Sequence, residues 1–142
     1  MAPIRDGRTR VPVTVRRSGM LLTGRVVGAA LTVAMGWIHL QLWFDGFRDV
    51  RIIGVLFLLN AVGAAVLAVA LLVVRFGRLA PVAALGALFT AGTLAALVVS
   101  LTVGLFGVRE VIDAPLVPAT LAVEAAGTVA LALTAYAARH RG

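Results

Sequence analysis

Four long stretches of the chain are almost without charged side chains, and they constrain its fold more than any other feature. They cover residues 26–44, 52–74, 79–106 and 115–138, and Glu124 is the one charged residue within them. A helix needs about 20 apolar residues to cross the hydrocarbon core of a bilayer, where it satisfies its own backbone hydrogen bonds. No stretch shows the alternation of a membrane barrel strand. The pattern therefore predicts an all-α fold, an integral membrane four-helix bundle.

The remaining residues divide the chain into three predicted parts. Residues 1–20 form an Arg-rich N-terminal segment, which we expect to be mobile and cytoplasmic. Residues 21–139 form the four-transmembrane-helix domain, and residues 140–142 form a cytoplasmic tail. Because the loops between the apolar stretches are too short for a soluble catalytic domain, a membrane enzyme ranks behind the other functional classes.

The charge distribution predicts the orientation of the helices. The 142 residues include 13 basic ones, all arginine, and six acidic ones, for a net charge of +7. In a soluble protein this charge would suggest nucleic-acid binding, but a hydrophobic content of 61% is too high for a soluble domain. Placing both termini inside puts ten of the 13 arginines on the cytoplasmic side, as the positive-inside rule requires. We therefore expect an N-in, C-in protein of the cell inner (plasma) membrane and no nucleic-acid partner.

The few polar side chains inside the apolar stretches are predicted to share one face and one depth. Stripes of small residues at intervals of three and four follow each predicted helix, as expected where helices pack compactly in lipid. The strongest polar side chains fall on these stripes, and each lies roughly 7–15 Å below the outer membrane surface at about 1.5 Å per residue. The candidate functional site is therefore a polar layer in the outer-leaflet half of the bundle, formed by His39, Asn60, Ser100 and Glu124.

Two interpretations of this layer stay open. An ionisable side chain inside a span is costly, so function is the default hypothesis, and a glutamate that takes up and releases protons would suit a proton-coupled carrier using Glu124 and His39. The interpretation that the sequence favours is structural, with Glu124 hydrogen-bonded to His39 or Asn60 and fixing the helices. Asn60 is more typical of hydrogen bonding between helices than of ligand contact. Charged residues of the outer loops are expected to be solvated, with the guarding of a cavity entrance as the alternative.

A haem-binding or redox protein is the third alternative. His39 is the one histidine within the predicted spans, because His140 lies in the basic tail. One histidine makes a poor metal site, and a bis-histidine haem would require a dimer. Met35 lies one turn from His39 on the same face, so the two cannot bind haem iron from opposite sides. The chain has no cysteine, which excludes disulfides, thiolate nucleophiles and Cys-ligated metals. We expect no cofactor, no metal and no catalytic residue.

Two segments carry a resemblance to known proteins. The sequence Gly-Trp-Ile-His-Leu at residues 36–40 is followed by Ile-Gly-Val-Leu-Phe-Leu-Leu-Asn-Ala at residues 53–61. Together they resemble a group of uncharacterised actinobacterial four-span membrane proteins, in which a His-Leu pair ends the first span. The layout is also distantly similar to DoxX-like membrane proteins. The resemblance implies a four-span fold and transfers no catalytic residue.

The sequence thus favours a small polytopic inner-membrane protein of structural or accessory type, with the carrier as the alternative. Its expected partners are the lipid bilayer and either further copies of itself or a larger membrane complex.

Overall fold

The computed structural model describes the backbone of residues 13–140 and the side chains of residues 18–140. The predicted all-α four-helix fold is confirmed, and the described residues contain no strand. Residues 1–12 of the predicted N-terminal segment and residues 141–142 of the predicted tail lie outside the described residues. The helices, with the two short 3-10 turns that precede α2 and α3, are α1 (Val13–Phe44), Phe47–Asp49, α2 (Arg51–Val73), Phe76–Arg78, α3 (Leu79–Thr102) and α4 (Val117–Arg139).

All four helices are long and apolar enough to cross a membrane, and the chain is a small multi-pass membrane protein. Helix α1 has 32 residues, or about 48 Å at 1.5 Å per residue, which exceeds a hydrocarbon core of about 30 Å. It begins at Val13, well before the start of the first predicted span at residue 26. Many large apolar side chains are exposed along the helices, and a surface of this kind contacts the lipid bilayer.

The helices pack in the order α2, α1, α4, α3. Helix α1 packs closely against α2 and α4, and α3 packs closely against α4, whereas α2 and α3 make little contact with each other. The bundle therefore has a closed back, formed by α1 and α4, and a cleft between α2 and α3. A compact bundle was expected from the sequence, but the periodicity of a helix defines its buried face and does not define which neighbour covers that face.

The two halves of the bundle differ in packing. The half that contains both chain ends and the α2–α3 loop is called the terminal half, and the half that contains the α1–α2 and α3–α4 loops is called the loop half. The apolar core occupies the terminal half and draws on every helix, with Leu21, Ala29, Ala68, Leu71, Leu79, Ala83, Leu131 and Ala135. The polar candidates of the sequence analysis lie in the loop half.

Arg25 connects α1 to the end of α2 by hydrogen bonds in the terminal half. Its side chain is buried, and its guanidinium donates hydrogen bonds to the backbone carbonyls of Leu71, Leu72 and, at 2.7 Å, Val74. The last carbonyls of a helix have no partner within the helix, and a cation there also interacts favourably with the helix dipole. The guanidinium lies 5.3 Å from the ring centroid of Phe76 in the following turn. One arginine therefore holds three elements together.

Small residues and hydroxyl groups set the close contacts between helices, as the sequence pattern predicts. A methyl group placed on Gly36 of α1 would lie 2.7 Å from the Cβ atom of Ala64 of α2, so only glycine fits there. Between α3 and α4, the hydroxyl oxygens of Thr90 and Thr128 lie 3.0 Å apart. Such contacts supply much of the attraction between helices in lipid, where the solvent is as apolar as the side chains.

Helix α3 is shorter than the predicted span, which extended to residue 106, because the α3–α4 loop begins earlier. Helix α3 ends at Thr102, and Gly104 and Gly107 adopt positive φ angles of +86° and +83°. These angles suit glycine and are incompatible with a continuing right-handed helix. Phe106 and Leu116 also have positive φ angles, of 49° and 69°, which is uncommon for residues with a side chain. The loop is thus a defined structure that covers the loop half.

Candidate functional site

A cavity of about 780 Å³ occupies the loop half of the bundle. Helices α1 and α4 form its back wall, α2 and α3 form its flanks, and the two loops cover its end. All four candidates from the sequence analysis line it, one from each helix: His39 from α1, Asn60 from α2, Ser100 from α3 and Glu124 from α4. Each of the four is buried. Most of the remaining lining is apolar.

His39 and Glu124 face each other on the back wall. The Nδ1 atom of His39 lies 2.9 Å from the carbonyl oxygen of Met35. Because a carbonyl only accepts hydrogen bonds, Nδ1 carries the proton, and the Nε2 atom is the one directed to Glu124. The distance between Nε2 and the Oε1 atom of Glu124 is 3.8 Å. This distance is within the range of an ion pair but is too long for a hydrogen bond. The imidazole therefore lies near the carboxyl group without forming a hydrogen bond to it.

Glu124 is the most deeply buried polar member of the site, with 1% of its surface exposed. Both of its carboxyl oxygens are buried without a hydrogen-bond partner. The side chain of Thr93 approaches the carboxyl group, but its hydroxyl lies in hydrogen-bonding distance of the carbonyl oxygen of Thr90, at 2.9 Å, and near the sulfur of Met35. Buried polar groups are satisfied in the great majority of cases, so this carboxyl group is an exception that requires an explanation.

Asn60 presents a second unsatisfied acceptor. Its Oδ1 atom is buried without a hydrogen-bond partner, and its side chain lines the same cavity from α2. The carboxyl oxygens of Glu124 have no hydrogen-bond partner, so Asn60 does not donate to them. The structural interpretation of the sequence allowed a contact of Glu124 with His39 or with Asn60, and the approach is made by His39.

Ser100 differs from the other three because its hydroxyl group is already occupied. It donates to the carbonyl oxygen of Val108 at 3.3 Å, and the backbone N–H of Glu110 donates to the carbonyl oxygen of Ser100, also at 3.3 Å. Both bonds tie the α3–α4 loop back onto the end of α3. The main effect of Ser100 is thus to hold the cover of the cavity in place.

The cavity opens sideways between α2 and α3. Leu56, Leu59, Leu88 and Gly92 line it, and all four are exposed on the outer surface. Leu59 and Leu88 are 60% and 72% exposed. Closer to the terminal half, a methyl group on Gly63 of α2 would lie 3.1 Å from the ring of Phe89 of α3, so the two helices meet there and form the floor. In a bilayer, this opening faces the lipid.

Several residues of the cavity were not among the candidates. Thr93 and Thr120 lie on the small-residue stripes of α3 and α4, and the sequence does not distinguish them from residues that only pack between helices. Asp45 and Glu110 line the loop end of the cavity, one from each loop, whereas no arginine is among the described residues that line it. The alternative expectation that loop charges guard a cavity entrance stays a prediction. Only a structure could separate these two acids from the neighbouring loop charges.

Within the described part of the chain, no three His, Asp or Glu side chains converge in the manner of a metal site. Compared with protein-family models, curated proteins and solved structures, the chain gives no significant match in any of the three. The resemblance to four-span actinobacterial and DoxX-like proteins stays a prediction.

Proposed function

We propose that this membrane protein binds a small amphipathic molecule in the cavity, with the apolar part of the molecule between α2 and α3 and its polar end against His39 and Glu124. The observation that carries the proposal is the carboxyl group of Glu124, whose two oxygens are buried on the cavity wall without a partner. A ligand group that donates hydrogen bonds would satisfy these oxygens.

The size and lining of the cavity support this function. Its volume of about 780 Å³ falls in the range of about 300–1,000 Å³ that is typical of small-molecule sites, which are mostly apolar with a few polar groups. Two of the polar groups, His39 and Glu124, lie on the back wall opposite the opening, and Asn60 lies on the flank formed by α2. This arrangement suits a molecule that lies in the bilayer and turns its polar end toward the protein.

Packing alone does not account for the polar wall. A glutamate that served only to fix the helices would gain stability from hydrogen bonds, and an unsatisfied buried acceptor instead costs about 1–3 kcal/mol. Strained or unsatisfied groups are typical of functional sites. The structural or accessory role that the sequence favours stays a prediction, and its test is co-purification with a stoichiometric partner complex.

Photolabelling tests the binding function. The probes are decyl chains that carry a photoreactive diazirine and end in an amine, an alcohol or a carboxylate, added to the purified protein in liposomes. We expect at least one probe to label cavity-lining peptides, and excess unlabelled decyl compound to abolish this labelling. The Gly92→Phe substitution, which places a large side chain at the opening between α2 and α3, should prevent it, whereas Val98→Phe on the same helix should not, because Val98 does not line the cavity. Labelling that never saturates, or that is equal in both variants, would contradict the proposal.

A proton-coupled carrier is the second candidate, and the 3.8 Å separation between His39 Nε2 and Glu124 Oε1 favours it. A cationic cargo that binds Glu124 could displace a proton from its carboxyl group. The test is flux of decylguanidinium, which stays charged at neutral pH and does not cross as a free base, into liposomes with an imposed proton gradient. Flux lost in a folded Glu124→Gln variant would support the carrier, and equal uptake by wild type, variant and empty liposomes would exclude it.

A further inference from the structure

We infer that the ligand of this cavity is a lipophilic amine, a molecule with an apolar body and a positively charged ammonium end. The inference rests on the proposed binding function and specifies its substrate class. It follows from the hydrogen-bonding character and the charge of the described residues that line the cavity.

The unsatisfied groups of the wall are all acceptors. Oε1 and Oε2 of Glu124 and Oδ1 of Asn60 are the buried side-chain oxygens without a partner among the described residues, and both side chains line the cavity. A matching ligand must therefore supply donors. An ammonium group supplies up to three donors and accepts none, whereas an alcohol supplies one and a carboxylate supplies none.

The charge of the lining has the same preference. Glu124 lies on the back wall, and Asp45 and Glu110 lie at the loop end. The chain as a whole has 13 basic residues against six acidic ones, yet no arginine lines the cavity in the described part of the chain. The lining thus has the opposite sign to the net charge of the protein. Acidic groups that line a low-dielectric cleft concentrate cations and repel anions.

Two aromatic rings in the lining, next to His39, add to this preference. The ring of Phe57 contacts the imidazole of His39 edge-on at 5.1 Å between centroids, and Phe47 lies 5.0 Å from Phe57. Both phenylalanines line the cavity. The face of an aromatic ring attracts a cation, by about 2 kcal/mol or more where both are removed from water.

The opening suits the body of such a molecule. An amine with an alkyl or aromatic body collects in the bilayer, and the cleft between α2 and α3 is bordered there by exposed leucines at positions 56, 59 and 88. A molecule that moves sideways through the cleft would bring its charged end to the back wall. The ammonium group would then contact Glu124 in the cavity that the Asn60 side chain also lines.

Headgroup selectivity tests the inference with the same three photoreactive decyl probes. We expect the amine to label cavity peptides at a concentration at least about tenfold lower than the alcohol, because a charge-assisted hydrogen bond is about twice as strong as a neutral one. The carboxylate should not label them. If the alcohol labels saturably and the amine is no better, the amine inference fails and the binding function stands. If no probe labels the cavity, the binding function itself fails.

Two variants separate the role of Glu124 from a general effect of charge. Glu124→Gln should reduce the preference for the amine over the alcohol to about twofold or less, since an amide retains little of the charge-assisted bond. Asp113→Asn removes one negative charge from an exposed loop position that does not line the cavity, and it should keep the preference. Asn60→Leu, which removes the second acceptor, gives an independent test if Glu124→Gln does not fold, and should also lower the preference. An unchanged preference in the folded Glu124 and Asn60 variants would overturn the inference.

Discussion

The Nε2 atom of His39 lies 3.8 Å from the Oε1 atom of Glu124, across the contact between α1 and α4. The backbone carbonyl of Met35 fixes the imidazole by accepting from Nδ1 at 2.9 Å. The ring is therefore held in place by its own helix rather than by the glutamate. The pair is oriented, buried and incompletely hydrogen-bonded, which is the basis on which we propose that a ligand binds there.

Glu124 should reduce the stability of the protein. Replacing it with Leu removes two buried oxygens that have no partner, and we expect the free energy of unfolding to rise by about 1–3 kcal/mol, the usual cost of an unsatisfied buried group. Thermal unfolding in detergent measures the change. Thr128→Val, which removes one hydroxyl next to Thr90, is the control and should lower stability by about 0.6 kcal/mol. A clear loss of stability in Glu124→Leu would mean that the carboxyl group holds the helices together.

Arg25 should be among the most sensitive positions of the terminal half. Arg25→Gln removes the charged group that donates to three carbonyls at the end of α2. Hydrogen bonds to charged groups contribute about 1.5–3 kcal/mol each, so we expect a loss of at least about 2 kcal/mol in the free energy of unfolding. Arg25→Lys should recover only part of it, because a lysine cannot reproduce the planar fork of donors. The exposed Arg75 provides the matched control, and a similar loss in Arg75→Gln would assign the effect to charge alone.

Two glycines should respond in opposite directions to the same substitution. At Gly36, the added methyl group would lie 2.7 Å from Ala64 Cβ, and overpacking of this kind costs about 1–3 kcal/mol. At Gly92, an added methyl group meets nothing within 4 Å, and Gly92→Ala should raise helix stability by about 0.5–1 kcal/mol. Unfolding temperatures of the two alanine variants, measured side by side, test this contrast. Equal changes at both positions would contradict the described packing of α1 against α2.

The predicted orientation can be tested because the chain contains no cysteine. Gly77→Cys places a thiol in the α2–α3 loop, where a side chain has open space, and Val111→Cys places one in the exposed α3–α4 loop. With both termini inside, a membrane-impermeant maleimide should label Val111→Cys on intact cells and Gly77→Cys only after permeabilisation. The reverse labelling pattern would place the termini outside and the loop half of the bundle toward the cytoplasm.

Much of the fold could be predicted from the sequence because the bilayer imposes a simple rule. A span without charge must be a helix, and the spacing of Gly36 or Thr90 with other small residues shows which face of that helix is buried. The burial of His39, Asn60, Ser100 and Glu124 follows from the same periodicity. Their functional role stays a prediction.

The parts of the structure that could not be predicted depend on which helices are adjacent and on individual atomic contacts, rather than on which face of a helix is buried. The periodicity of a helix does not indicate how far it lies from a neighbouring helix, so the cleft between α2 and α3 was not expected. Arg25 counts in the sequence as one more cytoplasmic charge, and its contact with the end of α2 depends on how the two helices meet. The hydroxyl group of Ser100 bonds to the α3–α4 loop, whose path is set by the left-handed residues at 104, 106 and 107.

Chemical modification of Glu124 from the lipid phase directly tests whether the cleft between α2 and α3 gives access to this carboxyl group. Dicyclohexylcarbodiimide dissolves in bilayers and converts accessible carboxyl groups to N-acylureas, which peptide mass spectrometry locates. If the cleft between α2 and α3 leads to the cavity wall, the reagent should modify Glu124 in wild-type protein in liposomes, and Gly92→Phe should slow the reaction. Val98→Phe should leave the rate unchanged. Unmodified Glu124 in the wild type, or equal rates in the two phenylalanine variants, would contradict the account.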